Sequence, residues 1–115
     1  MDIRFWKHAS GKSDVRLFLE KQPREAQERF FWLFEQIDSR GLAQHLQSRV
    51  VEKIKPHKAL FYIRYIKNKC SYRFFFTKDA VNTYHILHGF MKKTRGIPPK
   101  ELKKAEKRYK TIYFK

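Results

Sequence analysis

Residues 60–90 limit the possible folds more than any other part of the chain. Leu60–Ile66 (LFYIRYI), Tyr72–Thr77 (YRFFFT) and Asn82–Phe90 (NTYHILHGF) are three apolar, aromatic-rich runs that read as strands. Only short polar connections separate them, Lys67-Asn68-Lys69-Cys70 and a turn at Lys78-Asp79. Connections this short leave no room for a crossover helix, so an antiparallel meander is expected. Strand alternation then assigns faces. Phe61, Ile63 and Tyr65 share one side with Tyr72, Phe74 and Phe76, and Tyr62, Arg64, Arg73 and Phe75 share the other.

The rest of the chain supplies helices to cover such a sheet. A short opening strand at Asp2–Lys7 precedes a Ser-Gly-Lys break. Ser13 reads as an N-cap and Asp14 suits the first turn of a short helix bearing Val15, Phe18 and Leu19. Pro23 fits the first turn of a second helix. Its stripe is Ala26, Phe30, Leu33, Phe34 and Ile37, and Gly41 stops it. Val50–Lys55 reads as a further strand ended by Pro56. Pro98 and Pro99 open a last helix with a narrow stripe of Leu102, Ala105 and Tyr109. The order β-α-α-β-β-β-β-α predicts one α+β domain over 1–115.

Charge divides the chain unevenly. Residues 1–47 carry 8 basic and 7 acidic side chains, whereas 48–115 carry 19 and 4. Nearly all of the net +16 therefore belongs to the sheet and last helix, which points to a polyanionic partner. A single cysteine, Cys70, excludes an internal disulfide framework and suits a reducing cytoplasm. Residues 1–30 contain no apolar core of a signal peptide, and no window is long and apolar enough to span a bilayer.

Several chemistries lack their signatures. There is no GxGxxG, P-loop or HExxH. The histidines do not fall at ligand spacing on one helix, so neither a metal nor a cofactor is expected. His85 and His88, three apart on a strand, are expected on opposite faces. With the Phe61/Ile63/Tyr65 side under helices, the opposite side is expected to be open. It would offer Arg64 and Arg73 to phosphates and Tyr62 and Phe75 to bases, the usual way of holding single-stranded RNA. Lys92 and Lys93 would close one end, next to His88.

The run from Leu60 to Lys110 resembles the RelE/HigB superfamily of toxins from type II toxin–antitoxin modules, in its phage-derived, HigB-like branch. The pieces are Ala59-Leu60-Phe61-Tyr62-Ile63-Arg64, then Tyr72-Arg73-Phe74-Phe75-Phe76, then Ile86-Leu87-His88-Gly89-Phe90-Met91-Lys92-Lys93-Thr94, then Pro98-Pro99-Lys100-Glu101-Leu102 leading to Ala105 and Arg108. The third and fourth carry the most specific spacing. This chain departs from the family where the second strand usually has a Tyr, having Phe75 or Phe76 instead.

The resemblance implies a RelE-like fold and a ribosome-dependent mRNA endonuclease, silenced by an antitoxin of the helix-turn-helix type. It implies catalytic roles for Arg64, Arg73, His88 and Lys92, with His88 or a lysine moving protons. RNA would be held by Tyr62, Phe75, Lys93, Arg95, Lys53 and Lys55. The ribosome and mRNA are the partners implied, with no membrane and no small-molecule cofactor. Two other functions fit the same features: a ParE-like gyrase inhibitor, and an RNA-binding protein without catalysis.

Overall fold

Aromatic side chains on two sides of one sheet organise the molecule. The computed structural model describes residues 1–47, 50–92 and 96–113. Strands β1 (Asp2–Phe5), β2 (Val51–Lys53), β3 (Phe61–Lys67), β4 (Cys70–Lys78) and β5 (Thr83–Met91) form one sheet in the order β1-β5-β4-β3-β2. The meander β3-β4-β5 is antiparallel, as the short connections require, and β2 adds antiparallel to β3. β1 closes the far edge, parallel to β5. Asn68 and Lys69 both have positive φ, the backbone form of a tight hairpin turn whose twist matches its strands.

Helices α1 (Asp14–Glu20) and α2 (Arg24–Arg40) cover one face. Ser13 caps α1 by accepting from the Arg16 N–H at 3.2 Å. Pro23 sits just before α2, at the N-cap position rather than inside the first turn. The rings of Phe18, Phe30 and Phe34 meet Phe74, Phe76 and Tyr84. Tyr65 reaches the same helices, donating to the Ala26 carbonyl at 2.9 Å. A short helix α3 (Leu42–Gln47), which the sequence pattern did not announce, follows Gly41.

The second face is not open. Helix α4 (Pro99–Tyr113) lies across it, burying Ala105, Tyr109 and Arg108. The reason lies in α4 itself: its narrow apolar stripe must find an apolar partner, and the Tyr62–Phe75–His88 side is the aromatic surface still uncovered. Tyr109 reaches beyond the sheet, where its hydroxyl accepts from the Ala59 N–H at 3.3 Å.

A β-bulge sets which residues face α4. Phe75 pairs with His88, but Phe76 pairs with Ile86, so Leu87 is an extra residue in β5. The extra residue resets the alternation by one. His85, opposite Thr77, and His88, opposite Phe75, therefore share a face, contrary to the expectation from unbroken alternation. Among the described residues no helix is long and apolar enough to cross a membrane.

Gly89 in the same strand answers to packing. A Cβ there would stand 2.5 Å and 2.6 Å from Phe74 ring carbons and 3.1 Å from Phe18. The Phe74 ring is fully buried against Phe30, so it cannot yield. Gly89→Ala should therefore destabilise the fold by about 1–3 kcal/mol, as overpacking does. Denaturant unfolding checks this, and Phe74→Leu in the same chain should recover part of the loss.

Candidate functional site

Register places the predicted cluster at one end of the α4 face. Arg64 stands directly opposite Arg73, and Tyr62 directly opposite Phe75. Arg73 is opposite Phe90, and the Lys92 N–H continues the ladder by donating to the Ser71 carbonyl at 3.2 Å. By alternation Lys92 falls on the same face as Arg73. Arg64, Arg73 and Lys92 thus form a cationic row across three adjacent chain segments, beyond the start of α4.

The three differ in environment. Arg64 is exposed, and among the described residues no carboxylate lies within ion-pair distance of it. Arg73 is only 3% exposed, and its Nη1 donates to the Gly96 carbonyl at 2.6 Å. Gly96 has φ +87°, a conformation that side chains disfavour, and this turn brings its carbonyl toward the guanidinium just before α4 begins. Lys92 is half-buried. Two arginines directly opposite each other repel, so the fold sustains an unfavourable pair here.

Tyr62 is the phenol of this cluster. It stands opposite Phe75 across β3 and β4, 5.2 Å ring to ring. Burial raises the Tyr62 hydroxyl above its ordinary pKa, while Arg73 and Arg64 pull it back and Glu52 pushes it up. The hydroxyl therefore stays protonated at neutral pH.

Phe75 and His88 lie deeper. Phe75 is fully buried, ringed by Tyr62, His88 and Phe90, so it is not the accessible base-stacking surface expected of an open face. His88 is 7% exposed, and its Nε2 meets the Glu101 carboxylate from the first turn of α4. Lys53 pairs with Phe61 and so points to the α2 side, away from the cluster, while Lys55 is exposed in the turn after β2. Lys93 and Arg95 lie outside the described residues. Glu101, Gly96 and Arg108 were not foreseen. Glu101 and Arg108 lay within the Pro98–Arg108 motif spacing without a role assigned to them, and Gly96 precedes α4 with no such signal.

His88 carries a measurable consequence. Burial is the largest influence and lowers its pKa; Glu101 opposes, and Lys104 and Arg108 lower it further. The imidazole is thus neutral at pH 7, donating from Nε2–H to Glu101. Because its folded pKa lies below the ordinary 6.5, the unfolded chain binds more protons between the two values. Stability should therefore fall as pH drops below about 6.5, by at most about 1.4 kcal/mol per pH unit. Denaturant unfolding from pH 7.5 to 5 measures this slope, and His88→Gln should remove it. The Asp14 carboxyl titrates in a separate window. Burial alone would raise it, but the Arg108 hydrogen bond and charge, with His8, hold it below its ordinary value. Its contribution disappears only as pH falls below about 4.

The family described as "Phage derived protein Gp49-like (DUF891)" matches residues 17–110, which include α2, the whole meander and most of α4. No curated protein matches the chain. The matched segment contains every residue of the cationic row and both partners of the His88–Glu101 contact. The chain therefore belongs to the Gp49-like family, a RelE/toxin-like family of toxin–antitoxin modules whose toxins imply an antitoxin partner.

Proposed function

We propose that the chain, as one domain over 1–115, is the toxin of a type II module on the HigB-like branch, and that it cuts mRNA on the ribosome. The observation that carries this reading is the opposed Arg64–Arg73 pair beyond the start of α4, with Arg64 exposed and Arg73 buried beneath it. Like charges at directly opposed strand positions are unfavourable until an anion compensates them. A phosphodiester fits that place, because guanidinium forks match phosphate oxygens.

RNA contains its own nucleophile. The 2′-oxygen attacks the adjacent phosphorus as its proton leaves, a 2′,3′-cyclic phosphate forms, the P–O5′ bond breaks, and the 5′-oxygen takes up a proton. Arg64 and Arg73 would bind the scissile phosphate and stabilise the charge that builds on its oxygens. Tyr62, protonated and adjacent, would donate a hydrogen bond to the same group. Lys92 would hold a neighbouring phosphate; Lys93 and Arg95 are further proposed RNA contacts, as are Lys55 and, from the α2 side, Lys53. Proton transfer falls to His88 or Lys92. His88 would act from behind the first turn of α4, with Glu101 orienting its ring. The cell compartment is the cytoplasm, where ribosome, mRNA and a helix-turn-helix antitoxin meet.

Primer extension on a translated mRNA tests the reading. The wild-type chain should produce new 5′ ends only during translation. Arg73→Ala and Arg64→Ala should each lower cleavage by about 10²–10³-fold, the scale of losing one charge-stabilising donor. Arg64 is exposed, so its variant separates chemistry from folding. Full cleavage by Arg73→Ala would overturn the assignment, and intact mRNA with wild-type protein would overturn the endonuclease itself. Comparing His88→Gln with Lys92→Ala identifies the proton-transfer group.

A further inference from the structure

A second cationic feature lies on the other side of α4. Trp6, just past β1, forms a wall of a groove of about 450 Å³ whose other sides are His8, Lys103, Lys104, Lys107 and Arg108. The indole is held rigidly. Its Nε1–H donates to Thr111 Oγ1 at 2.9 Å, and the Arg108 guanidinium sits 4.3 Å from its ring centroid. Arg108 is itself fixed by two hydrogen bonds to the Asp14 carboxylate, at 2.9 and 2.7 Å.

The lysines around the indole are exposed, and among the described residues none has a carboxylate within ion-pair distance. The two carboxylates on α4 turn elsewhere: Glu101 to His88, and Glu106 to His57 at 2.6 Å. Lys103 and Lys107 are four apart, as are Lys100 and Lys104, and like charges at that spacing destabilise a helix. Lys100 and Lys103 also occupy the first turns, where the helix dipole disfavours cations. Neither helix stability nor internal pairing accounts for this arrangement. A fixed aromatic ring beside three lysines that lack a carboxylate partner is the pattern that holds single-stranded nucleic acid, with phosphates on the lysines and a base against the ring.

We infer that the Trp6–Lys103–Lys107 groove is a second RNA-binding site, holding a single-stranded segment apart from the Arg64–Arg73 cluster. The inference rests on the RNA-directed reading above and adds to it a place where RNA is gripped without being cut. Lys103 and Lys107 lie within about 10 Å of Glu101 along the helix axis, so one strand can engage both sites.

The test does not depend on cleavage. Trp6 and Trp32 are the only tryptophans, so Trp32→Phe leaves Trp6 as the sole indole fluorophore. The probe is a 2′-O-methyl octauridylate, which lacks the nucleophile and stays whole. Saturable quenching of Trp6 emission is expected. Lys103→Ala with Lys107→Ala, both exposed positions, should weaken binding at least tenfold at low salt. The same pair should flatten the slope of log affinity against log salt by about 1.4, or about 0.7 for each phosphate that is no longer neutralised. Arg24→Ala, exposed on α2 and outside both sites, should leave the quenching unchanged. Inorganic polyphosphate should compete without quenching, because it has no base to stack.

Absent quenching, or affinity unchanged by the lysine pair, overturns the inference. Equal quenching by polyphosphate removes base stacking and overturns it too. Equal quenching by polyglutamate would make the groove a seat for an acidic protein and overturn it as well. If the wild-type chain leaves translated mRNA intact while Trp6 still responds to RNA, the endonuclease reading fails and the groove stands.

Discussion

The extra residue in β5 frees a backbone carbonyl, and one arginine depends on it. Leu87 has no partner in β4, and its carbonyl accepts from Arg108 Nη1 at 2.9 Å. Arg108 also grips Asp14 at the start of α1 and stacks on Trp6. A buried guanidinium is tolerable only when its donors are satisfied and a counter-charge is near, and these contacts supply both. Through this side chain the bulge fixes α4 against the sheet, ties α4 to α1 and sets the chain leaving β1. The apolar contribution of α4, chiefly Leu102, Ala105 and Tyr109, is too narrow a stripe to define its position without these polar contacts.

The same economy of carboxylates explains the charge imbalance. Residues 48–115 contain four acidic groups, and three of them meet histidines: Asp79 with His85, Glu101 with His88 and Glu106 with His57. The buried arginine takes its counter-ion from the first half, at Asp14. Scarce acids are thus committed to interior or half-buried contacts, where a missing partner would be expensive. The cations on the outside are left uncompensated. This is why the excess charge of residues 48–115 stays at the surface rather than being neutralised within the fold.

The fold was legible wherever side-chain period decided it. The meander, its faces and the two covering helices follow from alternation in Leu60–Phe90 and the stripe from Ala26 to Ile37, with Gly41 ending the helix. The bulge was not legible, because no residue type marks it, and it reversed the relation of His85 to His88. The cover over Phe75 was missed for a different reason. A stripe as short as Leu102, Ala105 and Tyr109 shows that a helix packs somewhere but not on which surface. Arg64 and Arg73 were placed together correctly because cross-strand register needs only the hairpin length. Gly96 and Glu101, which depend on how the loop before α4 returns to the sheet, required three dimensions.

Placing Arg64 opposite Arg73 requires a support that does not yield to their repulsion. Strands β3 and β4 provide it: Tyr62–Phe75, Tyr65–Tyr72 and Phe61–Phe76 are aromatic pairs on both sides of the arginine pair. Each such cross-strand pair contributes up to about 1 kcal/mol, comparable to the penalty of one like-charge pair. With aromatic pairs before and after it, the register cannot relax by slipping, since a one-residue shift would send every ring to the wrong face. The rings near the site therefore act mainly by holding two cations at a spacing they would otherwise leave. That role is compatible with Phe75 being buried, and it explains why so much aromatic mass lies beneath a site whose own groups are cationic.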